Sequence, residues 1–320
     1  MLDWTTLYRG SVAWLPQRTI FLTRAGSHAY GLATPESDVD IRGVVIPPKE
    51  YFLGFWHHFE QAEAAEPDLV MYDIRKFFRL AAACNPSIIE LLWTEAEDHL
   101  LVTPLGRRLL DSRLLFLSRR AKQTFSGYAV AQLKRIKTHR RWLLQPPTHK
   151  PRRAEFNLPE TSVLSADILG AVATLEQKAE QDLSAFPAHV MEIYRRERSY
   201  QNALREWQQY EHWKAHRNPK RAVLEAKIGF DGKHASHLVR LLRMCREILE
   251  TGAVSVKRPD REELLAIRNG AWSYDQLLEW SENEDQALEA VAANSALPAA
   301  PNEQRLDDLC MTLVEEAIGT

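Results

Sequence analysis

The sequence predicts an α+β protein, with an α/β domain over residues 1–117 and an all-α domain over residues 118–320. Three observations carry this. Over the first 110 or so residues, short apolar runs alternate with glycine, proline and asparagine turn signals, as strands and short helices separated by loops do. From about Ser118 the strand signal stops, and apolar residues recur at spacings of three and four almost to the end, the period of helices packed on one face. Between two apolar runs of the first part lies AGSHAYGLATPESDVD, which reads as strand, glycine turn, short helical piece, strand.

Thr19 to Leu22 is the first strand of this reading and Ile41 to Ile46 the second. After Asp68, Leu-Val-Met-Tyr reads as another strand. Ile74 to Ala83 then has helical periodicity, with Ile74, Phe77, Phe78 and Ala81 on one face. Asn85-Pro86 interrupts it, because proline disfavours helix at the residue before it and starts a helix well; a new helix is expected over Ser87 to Trp93. In the second part a helix from Arg119 to about Leu144 carries Phe125, Tyr128, Gln132, Leu133 and Ile136 on one side and Lys134, Lys137 and Arg141 on another. Pro146-Pro147 ends it, and a loop rich in proline and basic residues runs to about Pro159. A second connection is expected at Ala293 to Asn302. No internal repeat is visible.

The composition, 45% hydrophobic and 26% charged, is that of an ordinary globular protein. Three separated cysteines, Cys84, Cys245 and Cys310, fit neither a disulfide framework nor zinc spacing, which points to a reducing cytoplasm. Residues 1–25 lack the pattern of a signal peptide, and no apolar run approaches the ~20 residues of a membrane span. The net charge of −2 hides an asymmetry: Arg119 to Arg153 holds eleven Lys or Arg and no acid, whereas Pro259 to the end holds fourteen acids against three bases. A polyanionic partner for the middle of the chain is one reading. The other is an acidic tail that folds back on it.

Asp38 and Asp40 stand at i and i+2, which on a strand puts both carboxylates on one side. Two hard oxygen ligands at one point suit Mg²⁺, which keeps its other positions for water and substrate phosphates. Gly26 lets the backbone approach a phosphate group that Ser27 can hydrogen-bond. Together these residues resemble the DNA polymerase β-type nucleotidyltransferase superfamily, where a Gly-Ser pair binds the triphosphate, an Asp-x-Asp pair carries two metals, and a later strand supplies a third carboxylate. Asp68, opening PDLVMYD, is the expected third carboxylate and Glu66 the reserve; Asp73 reads as a helix cap. A second cluster, KIGFDGKHASHLVRLLR, has a cap at Asp231 and a buried stripe of Leu238, Leu241, Leu242, Cys245 and Leu249. Lys233, His237 and Arg240 share a different face, which is expected to hold the nucleoside triphosphate, with a nucleic-acid phosphate or an exposed basic face without a ligand as the other readings. Zinc at His234 and His237 lacks the helical i, i+4 spacing and a third ligand.

Four segments in order, GSHAYGLATPESDVDIRGVVIPPKEYFLGF, DLVMYDIRKFFRLAAACNPSIIELLW, FSGYAVAQLKRI and KIGFDGKHASHLVRLLR, resemble the RNA-repair or RNA-ligase-associated nucleotidyltransferases, also called YcgL-like. The resemblance implies a polymerase-β-like catalytic domain with a mixed sheet, a helical second domain, and use of a nucleoside triphosphate with Mg²⁺, two ions, or Mn²⁺ in its place. It further implies association with RNA end repair, hence an RNA end as acceptor. A protein or small-molecule hydroxyl is the alternative acceptor, and a non-catalytic antitoxin-like protein on the same fold is the rival, against which the intact Asp38 and Asp40 speak. Gly26, Ser27, Asp38 and Asp40 match directly. Arg42, Asn85, Glu90, Lys233 and His237 match positions without assigned roles.

Overall fold

The computed structural model describes residues 12–35, 37–165, 167, 170 and 187–319, apart from the side chains of Lys220 and Arg221. The chain gathers into two compact units, residues 1–136 with 231–320, and residues 137–230. This partition does not fall at residue 117, because helical residues that precede and follow the second unit in sequence belong with the sheet.

The first unit is built on five strands: β1 (Thr19–Ala25), β2 (Asp40–Val45), β3 (Gln61–Ala64), β4 (Asp68–Asp73) and β5 (His99–Val102). Their order is β3-β4-β2-β1-β5. β2 and β4 run parallel and the other pairs antiparallel, so the sheet is mixed. Thr19–Ala25 is buried along almost its whole length, as a central strand covered on both faces must be. Leu15, Leu22, Ile41, Val45, Leu69 and Met71 form one core cluster.

Short helices fill the connections: α1 (Gly26–Ala29), α2 (Glu50–Leu53), α3 (Ile74–Ala82), α4 (Pro86–Ile89) and α5 (Pro104–Asp111). α3 buries Ile74, Phe77, Phe78 and Ala81 and is capped by Asp73, which accepts from the amides of Arg75 and Lys76. Asn85 caps α4 with Pro86 at its first turn, and a 3₁₀ turn at Glu90–Trp93 replaces the rest of the expected helix. The all-helical part follows: α6 (Arg120–Leu144), α7 (Ala188–His216), α8 (Pro219–Ile228), α9 (Gly232–Thr251), α10 (Arg261–Arg268), α11 (Tyr274–Asn294) and α12 (Glu303–Gly319). α9 buries twelve residues, Arg240 and Met244 among them, and packs on α10 and α11. Along α6, Phe125, Gln132 and Ile136 are buried, while Tyr128 is 38% exposed and accepts a hydrogen bond from Asn85 Nδ2 at 2.8 Å.

In the second unit, Trp142 packs against Tyr210 and Trp213 with ring centroids 5.9 and 5.5 Å away, and Arg217 pairs with Glu225 at 2.6 Å. The three cysteines are buried and free. Among the described residues no helix is long and apolar enough to cross a membrane.

Candidate active site

β1 ends at Ala25, whose register partner is Asp40, the first residue of β2; across β2 the partner of Asp40 is Asp68, the first residue of β4. Neighbouring strands lie about 4.8 Å apart, so the sheet sets the Gly26 turn, Asp40 and Asp68 side by side at one end. Gly26 has φ +60°, and a Cβ there would stand 1.9 Å from Asp40 Oδ2. The carboxylate therefore occupies the space that glycine leaves. Asp38 lies before the strand and is exposed, so its closeness to Asp40 comes from the approach to β2 and not from a shared strand face. Glu66, the reserve carboxylate, sits in the turn between β3 and β4 and is exposed.

An open cleft borders this point, lined by Gly26, Tyr30, Asp40, Arg42, Tyr72, Ser87, Glu90 and Thr94 among others. Burial, a carboxyl–carboxyl hydrogen bond with Asp68, and the charges of Asp68 and Asp38 raise Asp40 above the usual carboxylate range, against the pull of Arg42. Burial also pushes Asp68 upward, but hydrogen bonds from Arg42 and Asp40 outweigh it and hold it low. The two carboxylates are coupled across the paired strands, and a cation between them would relieve their repulsion. Arg42 is the counter-charge within the chain, 3.5 Å from Asp40 Oδ1 and 3.1 Å from Asp68 Oδ1. It also donates to the carbonyls of Ile41 and Asp68. All-oxygen donors carrying surplus negative charge fit a hard divalent cation, with Asp40 and Asp68 as the two candidate ligands; the Asp38 carboxylate does not converge with them to within 4.8 Å.

The second cluster does not form the single basic face expected. Lys233 is exposed and His237 half-buried, whereas Arg240 is 3% exposed and pairs with Glu90 at 2.5 Å. The helix turns Arg240 inward because its neighbours Leu238, Val239, Leu241 and Leu242 are buried around it. Burial first, then Arg240, His234, Lys233 and Arg135, push His237 down to about 3, so it is neutral at physiological pH. His234 pairs with Asp231, 3.4 Å away.

Sequence reasoning assigned no role to Tyr30, Tyr72 or Glu90. Glu90 carried the one signal available: a carboxylate inside the apolar run IIELLW announces a buried partner, because acids are rarely fully buried unpaired.

Part of the basic stretch is neutralised from the acidic tail: Arg120 meets Glu303 at 3.3 Å, and Lys122 meets Asp285 at 3.7 Å and Glu289. In the second unit Arg141 meets Glu206 at 2.5 Å and Arg152 meets Glu155 at 3.0 Å, and Arg153 pairs with Glu197. Lys134, Arg135 and Lys137 are exposed.

Residues 11–152 match the family described as the RNA repair pathway DNA polymerase beta family. The expected resemblance is found over that segment, which holds the whole sheet and every expected carboxylate. The chain is 31% identical over 90 residues to an uncharacterized 38.9 kDa protein of the nrdC-mobD intergenic region of Enterobacteria phage T4, covering 25% of this chain and 27% of that protein. It is 28% identical over 78 residues to the uncharacterized protein YcgL of Bacillus subtilis (strain 168), covering 23% of this chain and 30% of that protein. The matches thus span less than a third of either relative. No solved structure matches the chain.

Proposed function

We propose that this protein is a metal-dependent nucleotidyltransferase that moves a nucleoside monophosphate from a nucleoside triphosphate to a hydroxyl, with an RNA end as acceptor. The observation that carries the reading is the register of Asp40 with Asp68 across parallel strands, pressed against the glycine turn. The family match over residues 11–152 supports the chemistry, and the family's description supports RNA.

In this reading Asp40 and Asp68 hold Mg²⁺, or Mn²⁺, with Asp38 completing the set. The bound ions would stabilise charge on the attacking and leaving oxygens of an in-line displacement. The backbone amides of the Gly26-Ser27 turn bind the triphosphate, while the space left by the missing Gly26 side chain admits the Asp40 carboxylate beside it. Arg42 keeps Asp68 ionised until the cations arrive, and Asp68 accepts the proton of the attacking hydroxyl. Lys233 and His237 act at the edge of the triphosphate, His237 as a neutral hydrogen-bonding group. Lys134, Arg135 and Lys137 supply the exposed positive charge for an RNA backbone. Three buried free thiols suit a reducing cytoplasm.

A second reading, transfer to a protein or small-molecule hydroxyl, draws on the acidic partners of Arg120 and Lys122, which reduce the charge left for a polyanion. Incubation of the full chain with each α-labelled triphosphate, Mg²⁺ or Mn²⁺, and RNA, DNA and protein acceptors tests both. Label on RNA ends is expected. Label on protein alone would favour the second reading, and no label on any acceptor with no pyrophosphate released would end the first.

A further inference from the structure

Arg240 contacts two residues that line the cleft. Its guanidinium carbon lies 3.6 Å from the centroid of the Tyr30 ring, and its Nη1 donates to Glu90 Oε1 at 2.5 Å. The other oxygen of the same carboxylate, Oε2, accepts from the Tyr30 hydroxyl at 2.5 Å. The three side chains thus close a ring of interactions. Glu90 is 5% exposed and Arg240 3%, while Tyr30 and Glu90 both line the cleft. Only a planar guanidinium can lie flat on an aromatic ring and reach a carboxylate with its edge.

Tyr30 is the residue that closes α1. Its amide donates to the Gly26 carbonyl at 3.1 Å, and the amides of Gly31 and Leu32 donate to His28 and Ser27 at 3.0 and 2.8 Å. The same turn is gripped a second time by its backbone. The Arg258 amide donates to the Tyr30 carbonyl at 3.1 Å, and Arg261 Nε donates to the Gly31 carbonyl. Arg258 is itself fixed by Glu247 at 2.7 Å and Asp260 at 2.8 Å. Residues more than 200 positions away in sequence therefore hold a four-residue helix too short to fix its own geometry.

We propose that Arg240 is a positioning residue: through Tyr30 and Glu90 it sets the Gly26-Ser27 turn at the one distance from Asp40 that leaves room for its carboxylate while presenting the turn's amides to the triphosphate. This rests on the nucleotidyltransferase reading for its consequence, though not for its geometry. Arg240 does not touch the triphosphate, and its charge serves the fold of the turn. A misplaced turn lowers the rate of transfer more than it weakens nucleotide binding, because the reacting groups must meet within a few tenths of an ångström.

Two variants separate the arms of this device. Tyr30→Phe deletes the hydroxyl and leaves the ring under the guanidinium. The double change Glu90→Gln with Arg240→Met removes both buried charges together, so neither is stranded. Hydrogen exchange of the full chain, read at the amides of Tyr30, Gly31 and Leu32, is expected to quicken about 10-fold or more in both variants, with β4 amides unchanged. In transfer assays kcat is expected to fall more than KM for the triphosphate rises. Wild-type exchange at those three amides in both variants would overturn the proposal, as would exchange that quickens equally throughout the unit. Because exchange is read without substrate, a wild-type protein that transfers no nucleotide would refute the function and leave the positioning role to be decided by exchange alone.

Discussion

Replacing Gly26 with alanine puts a methyl group where the Asp40 carboxylate lies. The new Cβ would stand 1.9 Å from Oδ2 and 2.9 Å from Cγ. To restore a 3.0 Å separation the carboxylate must retreat by 3.0 − 1.9 = 1.1 Å, or the turn must move as far. The backbone adds its own cost, since φ +60° in a residue with a Cβ costs about 1–2 kcal/mol. Displacement of a reacting group by ~1 Å is worth about 10²-fold in rate, or roughly 2.7 kcal/mol of activation free energy. Gly26→Ala is therefore expected to lose at least ~10²-fold in kcat/KM for pyrophosphate release while the protein stays folded, its stability down by about 1–2 kcal/mol. Gly127→Ala is the matched control: a Cβ there meets nothing within 4 Å, and alanine in a helix interior is favoured over glycine by up to ~1 kcal/mol. Thermal melts should rise for Gly127→Ala and fall for Gly26→Ala, with activity unchanged in the first. Turnover by Gly26→Ala within about threefold of wild type would mean that Asp40 does not work from this position.

Asp40→Asn is expected to abolish transfer yet leave the metal-free protein at least as stable at neutral pH: a carboxyl raised in the folded state binds its proton more tightly there, so its ionisation costs stability as pH rises through that value. A lower melting temperature for Asp40→Asn would contradict it. Arg42→Met should move the acid limb of the pH–rate profile to higher pH, because the guanidinium that holds Asp68 low is gone; a limb that stays put assigns the counter-charge elsewhere. His237, held down to about 3 when folded against ~6.5 unfolded, makes the folded state bind fewer protons between those values, so stability should fall as pH drops from about 6.5, by at most about 1.4 kcal/mol per unit before solvent at the half-buried ring reduces it. Urea melts of His237→Gln should show a shallower loss over that range. Charge reversal at Lys134, Arg135 and Lys137 should cut the log–log salt slope of RNA binding by about 0.7 for each phosphate no longer engaged, and an unchanged slope would remove those side chains from the RNA path.

The parts of the fold that announce themselves locally were legible in the sequence. The run before Gly26, the run after Asp40 and LVMYD are apolar enough to be central strands, and they are the three adjacent strands β1, β2 and β4. The two edge strands were not legible. Gln61–Ala64 reads QAEA and His99–Val102 follows a polar turn; an edge strand takes its hydrogen bonds from a neighbour and needs no apolar pattern of its own. Asp68 was legible because a strand beginning with a carboxylate is a local feature. That its partner is Asp40 was not, since parallel register is set by the whole sheet.

Arg240 shows where periodicity misleads. Spacings of four and three placed Lys233, His237 and Arg240 on one face of α9, and the inference that a basic face meets phosphate assumed that face to be open. In a helix with twelve buried residues of twenty the apolar stripe is too wide for any lengthwise row to stay exposed throughout, and the row dips from exposed Lys233 to buried Arg240 within two turns. A buried guanidinium must find an anion. The nearest sign of one lay 150 residues earlier, in the equally misplaced Glu90 of an apolar run. Two charged residues that each break a local pattern are better explained by each other than separately, and a pairing of Glu90 with Arg240 could have been inferred on that ground from the sequence alone. What no such argument reaches is Tyr30, whose ring and hydroxyl tie that pair to the Gly26 turn, because a tyrosine four residues after a glycine violates no pattern at all.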